Sequence, residues 1–426
     1  MRFTNLKAPT FAGLLTAYTM EKKNRIILLL LACLNFTHIL DFMIMMPLGN
    51  YLMPYFHISP RQFSFLVGSY PLAAFVSGLV AAFFVDGFDR KKILLIGYSG
   101  FLVGTIACGF APSFELLLAA RTLTGLFGGL IGAQVLSIIS DIFPYEQRGK
   151  AMGAVMSAFA VASTIGVPFA LYLANLFSWH APFLLVGGLG VVIVPLLLKF
   201  IPPMIKHIAE KQPDQSPFYS LQLLQQNPQR IWALLFSGLI MMGHFIIIPF
   251  INPYMEFNNG YSKAVTPLIY LVGGIASFVA ATILGRVADV YGKLKVFSVC
   301  IFISLALVLV LTNLPAIAFS IVLVFFAAWF IVSTGRGVTA QAMVSNVVPP
   351  QERGSFMSFN SSIQQLGTGV ASLVGGLIIE KGADGKLIHY NWLGYFSIVV
   401  LSIALWLGYR LFKHSDEKKK NLVPGS

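Results

Sequence analysis

Pro144-Tyr145-Glu146-Gln147-Arg148-Gly149-Lys150-Ala151-Met152 recurs 205 residues later as Pro349-Pro350-Gln351-Glu352-Arg353-Gly354-Ser355-Phe356-Met357, with Pro, Arg, Gly and Met held at a constant offset. A second pair has nearly the same spacing. Asp86-Gly87-Phe88-Asp89-Arg90 is matched by Asp289-Val290-Tyr291-Gly292-Lys293, at an offset of 203. Each loop joins two long apolar runs, so the chain reads as one unit of several apolar segments written twice. Parallel repeats of membrane-spanning units place a binding cavity at the midplane, between halves that rock against each other.

Outward from these loops, a crossing helix needs about 20 mainly apolar residues at 1.5 Å rise each. Twelve stretches satisfy this: 26–54, 61–86, 93–111, 114–138, 150–177, 181–201, 231–254, 264–288, 296–312, 316–343, 355–380 and 392–413. We number them spans 1 to 12. Ser59-Pro60-Arg61-Gln62 puts Ser at N-cap, Pro at N1 and Gln at N3, a capping box that opens span 2. The expected organisation is an N-terminal segment 1–25, a six-span bundle 26–201, a Pro- and Gln-rich linker 202–230, a second bundle 231–413 and a tail 414–426. In that tail Asn421–Ser426 reads as an appended remnant. The run Glu21-Lys22-Lys23-Asn24-Arg25 precedes an apolar stretch too long for a signal peptide, so no cleaved leader is expected.

Composition leaves one class of protein. Of 426 residues 57% are hydrophobic and 11% charged, against about 25% charged in a soluble domain. Mean hydropathy is +0.79. The net charge of +13 would suggest nucleic acid in a soluble chain, but its distribution says otherwise. With the N-terminus inside, 23 of the 29 Lys and Arg fall in cytoplasmic segments and four in external ones (Arg61, Lys263, Lys381, Lys386). Arg121 and Arg336 lie within spans. This positive-inside bias puts both termini in the cytoplasm and removes the nucleic-acid reading. Cys33, Cys108 and Cys300 sit in apolar runs and read as small hydrophobes, with no disulfide framework or metal-ligand spacing.

Gly285-Arg286-Val287-Ala288-Asp289-Val290-Tyr291-Gly292-Lys293 resembles the signature loop of the major facilitator superfamily, Gly-x-Leu-Ala-Asp-Arg-x-Gly-Arg-Lys. Its first copy, ending Asp86-Gly87-Phe88-Asp89-Arg90-Lys91, is similar to the form found in the bacterial drug and arabinose efflux branch. Arg121-x-x-x-Gly125 matches that family's Arg-x-x-Gln-Gly with Thr124 in place of Gln. Gly166-Val167-Pro168, followed by Trp179 and Phe183, resembles the antiporter motif, although the usual Gly-Pro is interrupted. The resemblance implies an all-α membrane protein of twelve helices in two pseudo-symmetric six-helix bundles. It also implies proton-driven efflux of a small molecule, without cofactor, by a monomer in the bacterial inner membrane.

Individual residues then divide into three groups. Asp41 is the only acid deep in an apolar span, where a charge costs about 3 kcal/mol on insertion scales and marks a functional candidate. It lies ~22 Å from the cytoplasmic edge by helical rise, and Arg121 lies ~20 Å from it in a ~30 Å core. In the resembled fold spans 1 and 4 both line the cavity. The two residues are therefore a candidate proton-coupling pair, or alternatively a structural tie between helices. His38, one turn before Asp41, is a candidate relay or a packing residue. Candidate substrate contacts are Phe42, Met45, Gln134, His244, Phe245, Arg336 and Gln341. Met and aromatic runs make adaptable surfaces, but in lipid they also simply pack. Arg336 either binds an anionic group or snorkels to the interface. Two basic residues within the spans against one acid favour an anionic or zwitterionic substrate. Asp86, Asp89, Arg90, Lys91, Arg148, Asp289, Lys293 and Arg353 form either a cytoplasmic latch between the halves or solvated, topology-setting loops.

The alternatives are a symporter or uniporter for a polar metabolite and, from another class, an intramembrane enzyme using His38 and Asp41. The chain contains neither a phosphate-binding Gly-x-x-x-x-Gly-Lys-Ser/Thr loop nor a Gly-x-Ser-x-Gly nucleophile turn.

Overall fold

A computed structural model describes residues 22–205, 227–349 and 352–420. The expected linker is therefore described only at its two ends, and segment 1–21 and residues 421–426 lie outside the description. Eleven of its helices are long and apolar enough to cross a membrane. A further helix, Arg353–Ile378, stands where span 11 was expected. It is long enough to cross, but Asn360, Ser361, Ser362, Gln364, Gln365 and Thr368 give it a polar stripe that keeps it from qualifying on composition. Most of that stripe is turned inward, since Asn360, Ser362 and Thr368 are buried and Gln364 and Gln365 partly so, while Ser361 is exposed. The outer surface carries large exposed apolar side chains, such as Phe110, Phe177 and Phe302. A surface of this kind is stable only in lipid.

Helix boundaries follow local chemistry. Span 2 is the helix Pro60–Phe84, and its capping box is present, with Gln62 N donating to Ser59 Oγ at 3.2 Å and Ser59 N to Gln62 Oε1 at 3.0 Å. Spans 1, 5 and 7 are each interrupted. Span 1 runs Lys22–Ile44, turns at Pro47 and resumes as Gly49–Tyr55. Span 7 runs Pro228–Phe245 and then passes through short 3-10, α and π turns to Asn258, around Pro249 and Pro253. Span 5 consists of Tyr145–Val161, a π turn Ala162–Gly166 and Val167–Leu176, the irregular turn lying just before Pro168. Proline lacks an amide hydrogen and its ring crowds the carbonyl four residues back, which forces these breaks. Among the described residues one strand pair departs from the helical pattern. Glu380–Lys381 pairs antiparallel with Leu387–Ile388 in the loop before span 12, closed by Gly385 at φ +81°.

The core is distributed unevenly. At the end of the bundle where the first described helix begins, two large clusters form, each built of buried residues from one half. One joins Ile27, Leu94, Ile138, Ile201 and Met204, and the other joins Phe236, Phe297, Val344, Phe356 and Phe412. At the opposite end a single cluster is shared by both halves of the chain. It runs from Met45, Leu48 and Phe63 through Phe183 to Ile247, Phe250, Met255, Trp329 and Leu393. Two helix pairs join the halves, span 2 with Arg353–Ile378 and the span 5 turn with span 8, Pro267–Tyr291. The molecule is thus welded at one end and divided at the other.

Candidate functional site

Spans 1 and 4 meet through charge. Span 4 is the helix Phe114–Ile142, started by the Ser113 cap. It packs tightly on span 2 because Gly125, Gly128 and Gly129 let it lie against Tyr70 and Ala74. The close approach brings Arg121 to Asp41, with Arg121 NH1 2.6 Å from Asp41 Oδ2 and both side chains almost wholly buried. The guanidinium also lies 4.8 Å from the Tyr70 ring centroid, a cation–π contact between two fully buried groups. Asp41 Oδ1 makes no hydrogen bond among the described residues. The Thr105 hydroxyl acts on it electrostatically but falls short of bonding geometry. His38 Nε2 is 2.8 Å from the Tyr70 hydroxyl. Tyr70 therefore touches both the pair and the histidine, and Asp41, Arg121, Tyr70 and His38 form one continuous polar island.

The second half holds a related but unbalanced group. Arg336, in the helix Phe319–Ser345, is 1% exposed. Its NH2 lies 2.8 Å from His244 Nδ1, and its NH1 donates to Ser304 Oγ. Its head group points into the bundle between spans 7 and 9, so it does not snorkel. His244 also lies against Trp329, with centroids 5.0 Å apart. Among the described residues no carboxylate reaches Arg336 within ion-pair distance, whereas Arg121 has Asp41.

The other candidate contacts are scattered over the interior. Phe42 and Phe245 face each other across the two halves at 5.9 Å, and Phe42 also lies 5.5 Å from Tyr70. Gln341 accepts from Gln364 Nε2 at 3.2 Å, and the same nitrogen donates to Ser237 Oγ at 3.0 Å. Gln134 is buried with its Oε1 unpartnered. Met45 has no exposed surface and belongs to the shared core.

The loop residues do not meet across the halves. Arg90 pairs with Asp141 at 2.7 Å and also donates to the Ser137 carbonyl. Asp89 caps its helix by accepting from Lys91 N at 3.0 Å and holds the span 6 exit by accepting from Met204 N at 2.9 Å. Lys91 donates to the Leu198 carbonyl. Asp289 pairs with Lys293 in its own loop at 3.2 Å. Arg148 donates to the Phe143 carbonyl and Arg353 to the Ser345 carbonyl, so each arginine holds the end of the preceding helix in its own half, though at different positions of the repeat. The Asp86 side chain lies outside the described residues.

A bundle of described helices with a lipid-facing apolar surface and buried charges defines a polytopic membrane protein built around an internal polar site. The chain matches the Major Facilitator Superfamily over residues 31–252 and again over 233–426. It belongs to that family and is a transporter of small molecules, not an enzyme. It is 25% identical over 371 residues to the uncharacterised MFS-type transporter YceJ of Bacillus subtilis, covering 86% of this chain and 91% of that one. It is 23% identical over 322 residues to a probable sugar efflux transporter of Helicobacter pylori, covering 73% and 79%. The solved structure of a bacterial homologue of the human lysosomal transporter Spinster, inward-facing and occupied, superimposes with TM-score 0.72 at 16% identity over 93% of this chain and 98% of that one. The nucleoside transporter NupG does so with TM-score 0.70 at 15% identity over 91% and 100%. At these identities the solved structures speak for the fold alone.

Tyr70, Ser304, Trp329 and Gln364 were not singled out from the sequence. Each is a polar-tipped residue inside an apolar span, a signal that is visible but shared with many packing residues.

Proposed function

We propose that this transporter is a proton-coupled antiporter that exports a small amphipathic, anionic or zwitterionic molecule, with the proton gradient as its energy source. Residues 26–201 and 231–413 are the two rocking units, crossing the bacterial inner membrane twelve times as a monomer with both termini in the cytoplasm. On that orientation the divided end faces the cytoplasm, and the structure represents an inward-open state. The observation that carries the reading is the buried Asp41–Arg121 pair. Its carboxylate has one oxygen held by the guanidinium and one without a hydrogen bond among the described residues, beside the Thr105 hydroxyl, an arrangement that helix motion can switch between holding and releasing a proton. Arg336, buried without a carboxylate partner, supports an anionic group on the substrate. The names of the Helicobacter relatives add sugars to the compounds worth testing.

Everted vesicles from cells lacking their own exporters, acidified by respiration and loaded with a pH-quenched dye, test the assignment. Sugars and amphipathic anions are added in turn. An exported compound releases lumenal protons and restores fluorescence in wild-type vesicles, while Asp41→Asn returns the response to background. Proton release that survives in Asp41→Asn removes Asp41 from coupling. Equilibration independent of the gradient identifies a uniporter.

A further inference from the structure

The welded end carries a repeat of its own. Pro47-Leu48-Gly49-Asn50-Tyr51-Leu52-Met53 follows the break in span 1, and Pro249-Phe250-Ile251-Asn252-Pro253-Tyr254-Met255 follows the break in span 7. Pro, Asn and Met recur at an offset of 202, close to the 203 and 205 of the loop repeats at the other end. Both Asn side chains and both Met side chains are buried. The two copies bond across the halves: Asn252 Nδ2 donates to the Pro47 carbonyl at 3.2 Å, and Asn50 Nδ2 donates to Glu256 Oε2 at 2.7 Å. Glu256 has no acidic counterpart in the first copy, where Pro54 occupies the equivalent place. Its other oxygen accepts from Thr266 Oγ1 at 2.8 Å, which anchors the carboxylate in the second half. Lys263 lies 4.4 Å over the Tyr51 ring and reaches the Asn50 carbonyl at 3.5 Å. Three hydrogen bonds that join the halves thus gather in this one cluster.

We infer that Asn50 and Glu256 form the external lock that holds the inward-open state, and that this bond must break for the transporter to open outward. This rests on the alternating-access reading but not on proton coupling or on any particular substrate. A carboxylate fixed by one half and offered to an amide of the other binds only when the two broken helices are in register, so it senses closure directly. The charge-assisted bond is stronger than a neutral one. Because only the Asn50–Glu256 bond of the three is short, the longer Lys263 contact lying at 3.5 Å, the lock remains breakable during a transport cycle.

The test is a distance measurement between spin labels at His57→Cys and Ala264→Cys, on exposed positions of the two halves at the welded end, with Cys33, Cys108 and Cys300 replaced by Ala. The otherwise unaltered protein should give a predominantly short distance. Asn50→Asp sets two carboxylates against each other and should move most of the population to a longer distance. The double variant Asn50→Asp with Glu256→Gln restores a donor–acceptor pair of reversed polarity and should return the short distance. Asn50→Ala, which removes the bond without adding charge, should give an intermediate shift and covers the case in which Asn50→Asp does not fold. The inference fails if both single variants keep the short distance, or if the double variant stays as open as Asn50→Asp. Failure here leaves the Asp41 assignment untouched, since no proton flux is measured.

Discussion

Asp41 and Arg121 are worth more to the molecule as a pair than either is alone. Removing one partner of a buried ion pair leaves an uncompensated charge and costs about 3–5 kcal/mol, while replacing both partners with neutral groups is often far less damaging. Arg121→Ala should therefore lower the melting temperature of the detergent-solubilised protein sharply. Asp41→Asn combined with Arg121→Gln should recover most of the loss. A double variant as unstable as Arg121→Ala would mean that the Tyr70 cation–π contact, not the charge pair, dominates. Sequence revealed this pair because membrane depth can be counted along a helix, and both residues counted to a similar level. It did not reveal Tyr70, since nothing in a linear pattern fixes the rotation of span 2 about its axis. Asn50 and Glu256 were hidden for a different reason. Both lie beyond the prolines, where counting along a regular helix no longer applies.

Helix-scale packing makes a sharper distinction than composition did. Span 4 contains two overlapping Gly-x-x-x-Gly pairs, and the sequence treats their four glycines alike. The structure separates them. A Cβ at Gly125 would run into the backbone of Tyr70 and one at Gly129 into that of Ala74, whereas one at Gly132 would meet nothing within 4 Å. Gly125→Leu should force spans 2 and 4 apart, displace Arg121 from Asp41 and lower both yield and thermal stability. Gly132→Ala should leave both unchanged or slightly raised, as expected where glycine only lowers helix propensity. Size-exclusion profiles and melting curves of the two variants check this directly. At the same scale, every expected span has a helix at its position because about twenty apolar residues in lipid leave the backbone no alternative. Span 11 differs in its surroundings. Its polar residues are affordable because span 2 and span 7 cover them, which composition alone cannot foresee.

Over the whole molecule, the shared core at one end has a consequence for assembly. The halves are joined not only by the covalent linker but by the span 2 with span 11 and span 5 with span 8 contacts and the common cluster around Phe250. If that surface supplies the association, the covalent connection is dispensable. Residues 1–213 and 214–426 produced as separate chains in one cell should co-purify through a tag on either. The same experiment with Gly274→Phe, where any side chain meets the Thr164 backbone of span 5, should reduce the recovered partner severalfold. Recovery of the pair despite Gly274→Phe would assign the association to span 2 and span 11 alone. Loss of the pair without any substitution would make the linker part of the fold. The divided end bears on the result as well, because the buried residues of its clusters each come from one half, with the partly buried Leu79 of span 2 reaching across. Each chain thus carries its own nucleus to the encounter, and the shared cluster at the welded end is what the encounter buries.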